Sequence, residues 1–188
     1  MKINKSIQVI HLVFASVLLV LVTGCGQKSP SEDSKVGVGA NTVVEAPRLY
    51  QEGVDAYQAG KFTIAVEKFK ALADQGDASA QFNLGSLYRQ GQGVAQDDKL
   101  AALWWAKAAE QGHTDAMDNL GLRYAKGEGV EQNWIQAYKW FSIAGMRKNT
   151  SAAENAKFAL SKMTPEQIDQ AQNQAKEWME QHPINHPK

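Results

Sequence analysis

Two glycines, Gly91 and Gly93, stand directly before a helix-like run in GQGVAQDDKLAALWWAKAAEQG, and such a loop could bind a phosphate. Backbone N–H groups at a helix N-terminus point outward and attract anions. The glycine pair returns 36 residues later as GEGV, where Glu128 between the glycines would repel a phosphate. No P-loop lysine follows in the required place. The glycines are therefore predicted to supply positive φ angles where one helix ends and the chain reverses.

The four histidines are the other residues that could do chemistry. His182 and His186 have the i, i+4 spacing that suits a metal on a helix, but prolines break this tail, so no metal site is predicted. His11 lies in an N-terminal apolar segment, and His113 begins a repeated unit. No H-E-x-x-H, G-x-S-x-G or P-loop motif occurs, and carboxylates such as Asp97 are interpreted as helix caps. We therefore predict no catalytic residue, no cofactor and no small-molecule substrate.

The composition bounds the function further. The chain has 188 residues, of which 44% are hydrophobic, and this suits one globular domain with a sizeable core. Lys plus Arg and Asp plus Glu number 20 each. Because there is no basic excess, binding to nucleic acid is not expected.

The N-terminus carries a targeting pattern. Lys2 and Lys5 precede an apolar run, densest from Leu12 to Val22, that is shorter than the ~20 residues of a spanning helix and fits a secretory signal. The run ends in LVTGC, which resembles a bacterial lipobox. That resemblance implies cleavage before Cys25 and a diacylglyceryl group on its sulfur. Two other interpretations stay open: a permanent anchor helix, and an ordinary signal followed by an idle thiol.

The lipobox also divides the N-terminal region. Residues 1–24 are then a signal peptide, and residues 25–46 are the lipidated cysteine and a flexible tether rich in Gly, Ser and Pro. Cys25 is followed by Gly26 and not by aspartate. By resemblance to enterobacterial sorting, this favours the outer membrane, with the domain facing the periplasm.

Residues 77–112 and 113–148 align without gaps at a constant spacing of 36. The identical pairs include Ala80/Ala116, Asn83/Asn119, Leu84/Leu120, Gly85/Gly121, Tyr88/Tyr124, Gly91/Gly127, Gly93/Gly129 and Trp104/Trp140. A degenerate earlier unit carries Ala65, Phe69 and Gly76 at the same spacing. A period this constant predicts a repeated structural unit.

Each unit is predicted to be a pair of helices. The second helix carries a stripe with the spacing of one buried face. This stripe is Ala101, Trp104, Trp105 and Ala108 in one unit and Ala137, Trp140, Phe141 and Ala144 in the next. Asp97 and Asn133 stand at N-cap positions. Gly85 and Gly121 fall inside the first helices, where glycine costs about 1 kcal/mol against alanine, so we expect that a side chain there would not fit against the partner helix.

A last helix is predicted in MTPEQIDQAQNQAKEWMEQ. Thr164 is its N-cap, Pro165 suits the first helical position, and Gln167 completes a capping box. Its apolar positions are Ile168, Ala171, Ala175 and Trp178. Such a helix would cover the open end of a stack of repeats.

The pattern A…NLGxxYxxGxGVxQ…A…WxxxA resembles Sel1-like repeats, which are cousins of tetratricopeptide repeats. The resemblance covers about residues 47–181. It implies an all-α fold, a right-handed α-solenoid of about three helix-pair repeats plus C-terminal capping helices, followed by a disordered tail at 182–188. Lys148 departs from the pattern, because a linker glycine is usual there. The repeat cysteines that brace some relatives are also missing, so the helices must hold by packing alone.

By the same resemblance, the first helices of the pairs line a concave groove that binds a partner protein. The candidate partner-binding residues are Tyr50, Phe82, Ser86, Arg89, Asp118, Leu122 and Lys126. Phe82 and Tyr50 are apolar enough to anchor a peptide, but they could equally pack against adjacent repeats. The periodic tryptophans are predicted to lie in the core, whereas Trp134 stands outside the stripe.

The resemblance implies a lipid-anchored interaction module, an adaptor or regulator of the cell envelope that is not an enzyme. Two alternatives stay open. Some cysteine-rich relatives have been linked to β-lactam binding, which suggests a cell-wall hydrolase, although no Ser-x-x-Lys motif occurs and Ser161 and Lys162 are adjacent instead. The third possibility is a structural spacer with no specific partner.

Overall fold

The structure, a computed structural model, describes residues 42–183, which form eight α-helices and no strand within that range. The predicted signal peptide, Cys25 and His186 lie outside the described residues. The helices are α1 (Thr42–Gln58), α2 (Phe62–Ala73), α3 (Ala78–Gln90), α4 (Asp98–Glu110), α5 (Thr114–Lys126), α6 (Trp134–Met146), α7 (Thr150–Leu160) and α8 (Pro165–Gln181). None of these helices combines the length and the apolar composition needed to cross a membrane.

The helices form a linear array. From α1 to α7 each helix packs against the next one in the chain, and α8 lies against α6. The order is therefore three helix pairs, α1–α2, α3–α4 and α5–α6, closed by α7 and α8. This confirms the prediction of an all-α repeat solenoid with C-terminal capping helices.

The boundaries of the array differ slightly from the predicted domain. Helix α1 begins at Thr42, inside the segment 25–46 interpreted as a tether, and Pro47 lies within the helix. Gly, Ser, Pro and mixed charges dominate that segment without a helical period, which is why the sequence predicts a tether there. At the other end, α8 stops at Gln181, with His182 as its C-cap.

The helix starts follow the predicted capping chemistry. Asp97 accepts hydrogen bonds from the backbone N–H groups of Lys99 and Leu100, and Asn133 accepts one from Gln136. Thr164 and Gln167 form a complete capping box at the start of α8. These caps satisfy backbone donors that the first helical turn leaves without partners.

The buried face of the second helices is also as predicted. Trp104, Trp105 and Trp140 are only 8%, 3% and 3% exposed, and the alanines of the stripe are buried beside them. On α8, Ala171, Ala175 and Trp178 are buried, whereas Ile168 is half-buried. Trp134 is half-buried and meets the exposed ring of Phe158 on α7.

One contact recurs inside the three helix pairs: an aromatic ring of the second helix lies on a glycine of the first. The pairs are Gly53 with Phe69, Gly85 with Trp105 and Gly121 with Phe141. A Cβ added to these glycines would lie 2.8, 2.8 and 2.7 Å from the nearest ring atom, closer than carbon atoms approach without repulsion. The prediction that Gly85 and Gly121 leave no room for a side chain is confirmed.

The paired glycines of each turn have two different tasks. Gly91 and Gly127 end α3 and α5 with φ angles of 65° and 71°, in the left-handed region, as predicted. Gly93 and Gly129 also have positive φ angles, but a Cβ there would in addition overlap the backbone at the start of the preceding repeat's second helix. The second glycine therefore lets each turn pack on the neighbouring repeat.

Lys148 is the one described non-glycine residue with a positive φ, at 71°. It occupies the linker position that Gly76 and Gly112 hold in the preceding units, with φ angles of 97° and 91°. The left-handed conformation costs an L-residue about 1–2 kcal/mol. The sequence departure at Lys148 is thus a point of backbone strain between α6 and α7.

Replacing Gly121 with alanine should destabilise the domain. The new methyl group would overlap the Phe141 ring, and overpacking costs about 1–3 kcal/mol, against the ~1 kcal/mol that alanine gains as a helix former. We expect the free energy of unfolding to fall by about 1 kcal/mol or more. Urea denaturation of the full chain, followed by far-UV circular dichroism, measures this change.

The double variant Gly121→Ala/Phe141→Leu is the matched test, because the smaller leucine leaves space for the methyl group. Its loss of stability should be smaller than the sum of the two single losses. The substitution Asn173→Ala, at an exposed position of α8, should change the free energy of unfolding by less than ~0.5 kcal/mol. Identical unfolding curves for Gly121→Ala and the wild-type chain would contradict the importance of the contact.

Candidate interaction surface

The first helices of the repeats leave one face partly open to solvent. Residues four apart along a helix share a face, so each helix presents a short row of side chains there, which we call a file. On α5 this file is Asp118, Leu122 and Lys126. The equivalent positions on α3 are Phe82, Ser86 and Gln90. Those of the next unit are Glu154 and Phe158 on α7 and Lys162 just after its end. Five of the seven predicted groove residues belong to these files, and a sixth, Tyr50, occupies the matching position of α1. Arg89 lies outside the files.

Two hydrogen bonds connect residues at these positions to the first helix of an adjacent repeat. Asn83 on α3 donates to the hydroxyl of Tyr50 on α1 at 2.9 Å, and Asn155 on α7 donates to a carboxylate oxygen of Asp118 at 3.3 Å. Burial raises the pKa of Asp118, and the charge of Asp115 raises it further. Tyr50 and Asp118 therefore make contacts between repeats, whatever else they bind.

Phe82 is also packed against its neighbours. Its ring stacks on the His113 ring with centroids 4.6 Å apart and planes 17° apart. Its carbonyl oxygen accepts hydrogen bonds from Trp105 Nε1 and from the hydroxyl of Ser86. Phe82 and Ser86 are both half-buried. Their contacts fix the centre of the file on α3.

Arg89 belongs to a charge network between two repeats. Its side chain lies 3.6 Å from a carboxylate oxygen of Asp98 and 4.0 Å from one of Glu128. Glu128 also pairs with Arg123, which is 6% exposed and lies against the Trp105 ring. The acid between the turn glycines therefore ties its turn to the preceding repeat.

Leu122 and Lys126 are the predicted residues with the fewest internal contacts. Leu122 is half-buried beside the core, and Lys126 is exposed. The sequence analysis missed two residues beside them: Phe158, which is 55% exposed, and Lys162. Extending the 36-residue spacing from Leu122 and Lys126 by one more unit leads to these two positions.

The histidines that the structure describes have structural contacts. His113 Nδ1 accepts a hydrogen bond from the N–H of Ala116 at 3.3 Å and caps α5. His182 stacks on Trp178 with centroids 4.1 Å apart. Within residues 42–183 no three His, Cys, Asp or Glu side chains are grouped as metal ligands would be.

The repeated helix pair, with its glycine-containing turn, matches a known repeat. The Sel1 repeat family matches residues 78–113 and 114–149, which correspond to α3–α4 and α5–α6. The chain contains two Sel1 repeats. Sel1-repeat proteins are in general protein-interaction modules.

Individual relatives share this repeat region. The chain is 28% identical over 78 residues to an exopolysaccharide production negative regulator of Rhizobium meliloti (strain 1021), across 42% of the chain and 29% of the regulator. It is similar to the structure of a protective antigen of uropathogenic Escherichia coli with an SLR fold, at 36% identity and a TM-score of 0.69, over 72% of the chain and 30% of the antigen. A Sel1 repeat protein from Oxalobacter formigenes aligns at 30% identity and a TM-score of 0.56, over 69% of the chain and 54% of that protein.

The chain therefore spans between about three tenths and just over half of these relatives. Their common part is the helical-repeat fold.

His113, the N-cap of α5 in the second Sel1 repeat, should make the free energy of unfolding depend on pH. Asp77 and Asn149 cap α3 and α7 at the positions equivalent to His113. Unlike them, His113 can accept the hydrogen bond from the Ala116 N–H only while its Nδ1 is unprotonated. Burial lowers the pKa of His113 below its ordinary 6.5, although Asp115 and Asp77 oppose this. As the pH falls below about 6.5, the unfolded chain takes up the proton first, so the free energy of unfolding should fall.

The variant His113→Asn is the matched control, because Asn149 already caps α7 in the same position. Its stability should depend less on pH between pH 7 and 5 than that of the wild-type chain, by about 1 kcal/mol, the typical value of a cap. Thermal unfolding at several pH values measures the difference. Parallel pH profiles for the two proteins would show that His113 does not titrate with folding.

Proposed function

We propose that this protein is an adaptor or regulator that binds a partner protein through the face formed by α3, α5 and α7, while a lipid on Cys25 holds it in the bacterial cell envelope. The observation that carries the groove proposal is the set of side-chain files on successive first helices. Repeated helices present such files as one extended binding surface. The middle residues Ser86, Leu122 and Phe158 differ in size and polarity, so they suit one partner rather than many.

The relatives support the regulatory part of the proposal. The Rhizobium meliloti protein carries the description of a negative regulator, and its match to this chain covers 42% of the chain. A regulator built from helical repeats can act by binding another protein, since stacked repeats present an extended binding surface. The same role fits a chain whose repeated positions are used for packing and whose variable positions face solvent.

The geometry gives the hydrolase alternative no support. The hydroxyl of Ser161 donates to the carbonyl oxygen of Phe158 at 2.7 Å, and the ammonium of Lys162 lies 4.9 Å from the Phe158 ring centre. A nucleophilic serine needs a base within hydrogen-bond reach of its hydroxyl. Here serine and lysine are directed to other groups.

A photo-crosslinking amino acid should distinguish the groove from a spacer. Placed at Ser86 or Leu122 in cells that make the protein, it should form protein adducts several-fold more abundant than at Glu67 on α2 or Leu103 on α4. The first two positions are half-buried in the proposed groove, whereas the last two are exposed on second helices. Mass spectrometry of the adducts measures their yield and names the partner.

Two results would contradict the groove. Equal adduct yields at all four positions would indicate unspecific contact, and adducts confined to Leu103 would place the binding face on the second helices. No adduct at any position would favour the structural spacer.

The lipid anchor has its own test. If LVTGC is a lipobox, the mature protein should begin at Cys25 and carry the mass of a diacylglyceryl group and an acyl chain. More than one acyl chain is needed for stable anchoring. A Cys25→Ser variant should then stay unprocessed. A mature N-terminus after Cys25, without lipid, would overturn the anchor and leave the groove proposal intact.

A further inference from the structure

Phe158 on α7 and Trp134 at the start of α6 are in contact at one end of the proposed groove. Together with Leu122 on α5, which packs partly buried on the same core cluster as Trp134, they are called the apolar patch. Phe158 is 55% exposed, and its ring meets Trp134 edge-on with centroids 5.9 Å apart. Leu122 occupies the same repeat position as Phe158, one unit earlier, on a helix that contacts α7. The exposed ring of Phe158, beside the half-buried side chains of Trp134 and Leu122, favours binding of another apolar group.

Two lysines border the patch on the same side. Lys126 stands four residues after Leu122 on α5 and shares its helix face. Lys162 follows the end of α7 by two residues. The ammonium group of Lys162 lies over the Phe158 ring. Among residues 45–183, no carboxylate oxygen lies within 4.0 Å of either ammonium group. The patch therefore has an edge of positive charge that no described carboxylate pairs with.

The opposite side of the patch carries acids that already have partners. One turn before Leu122, Asp118 accepts a hydrogen bond from Asn155. One turn before Phe158, Glu154 pairs with Lys157 at 2.8 Å. Glu154 thus has a cationic partner, whereas the neutral amide of Asn155 leaves Asp118 its charge. The patch has lysines at one edge and acids at the other, so an acidic residue of a ligand fits the edge formed by Lys126 and Lys162.

From this arrangement we infer that the patch binds a partner segment in which an aromatic or aliphatic residue is flanked by acidic residues. The apolar residue packs on Phe158, Trp134 and Leu122, and the acidic residues lie against Lys126 and Lys162. This rests on the proposed groove function and specifies the chemistry of its partner. A membrane surface is the less suitable occupant, because two lysines are too few for strong adsorption to anionic lipids.

A peptide selection tests the inference with the full chain. Random peptides displayed on phage are selected on the immobilised wild-type protein and on Lys126→Glu/Lys162→Glu. The wild-type protein should enrich peptides that combine an aromatic or aliphatic residue with at least two acids. The best wild-type peptide, measured by fluorescence anisotropy, should bind the double variant about tenfold more weakly, since two attractive charge pairs become repulsive.

Two further variants make the result specific. Phe158→Ala should weaken binding of the same peptide, because the apolar contact is lost. The preference of the protein for acidic peptides should stay unchanged. Lys61→Glu/Lys99→Glu, an equal charge change at the exposed N-cap of α2 and at an exposed position of α4, should leave binding unchanged. Far-UV circular dichroism confirms that each variant is folded.

Several outcomes would overturn the inference. These are no peptide enrichment, enriched peptides without an acidic bias, equal losses in both lysine double variants, or tighter binding to anionic vesicles than to any peptide. If Leu122 captures a partner by photo-crosslinking and Lys126→Glu/Lys162→Glu gives the same adduct yield, the groove function stands and the acidic chemistry is wrong.

Discussion

The close contact between an aromatic ring and a glycine sets the geometry of each helix pair. Because a Cβ at Gly85 or Gly121 would overlap the ring of Trp105 or Phe141, the two helices can approach to a distance that no larger residue allows. The ring then fills the gap beside the small alanines of the second helix. The only cysteine of the chain, Cys25, precedes the helical array. Packing of rings on glycines thus holds the two helices of each described pair together without a disulfide.

A second set of contacts joins one pair to the next. The backbone of the turn at Gly93 or Gly129 rests on the start of the preceding repeat's second helix, and Glu128 reaches Arg89 of the preceding repeat. Asn83 donates to Tyr50 of the repeat before it. Most contacts join a repeat to its neighbours, so the stability of the array is approximately a sum of such local contacts. An exception is Trp178 on α8, whose Nε1 donates to Glu110 on α4.

The period of the sequence predicts those parts of the fold that must be the same in every repeat. It predicts the helix pairs, the caps at Asp97 and Asn133 and the tight approach at Gly121, because each has one physical solution. It does not predict that Gly129 packs on the neighbouring repeat, since a positive φ alone already explains a glycine there. It does not predict the start of α1 at Thr42, because the Gly, Ser and Pro content of the preceding segment indicates a tether and Pro47 lies inside the helix.

The interaction surface escapes the same reasoning for a physical reason. Identity at a spacing of 36 marks positions whose neighbours are also repeated, and these are core positions. A binding residue faces a partner that is not repeated, so it is free to differ between units, as Ser86, Leu122 and Phe158 do. Replacing one of these residues changes the surface with little effect on the ring-on-glycine contacts beneath it. A repeat solenoid can therefore acquire a new partner without changing its fold, and the partner must be read from the positions where the repeat pattern breaks.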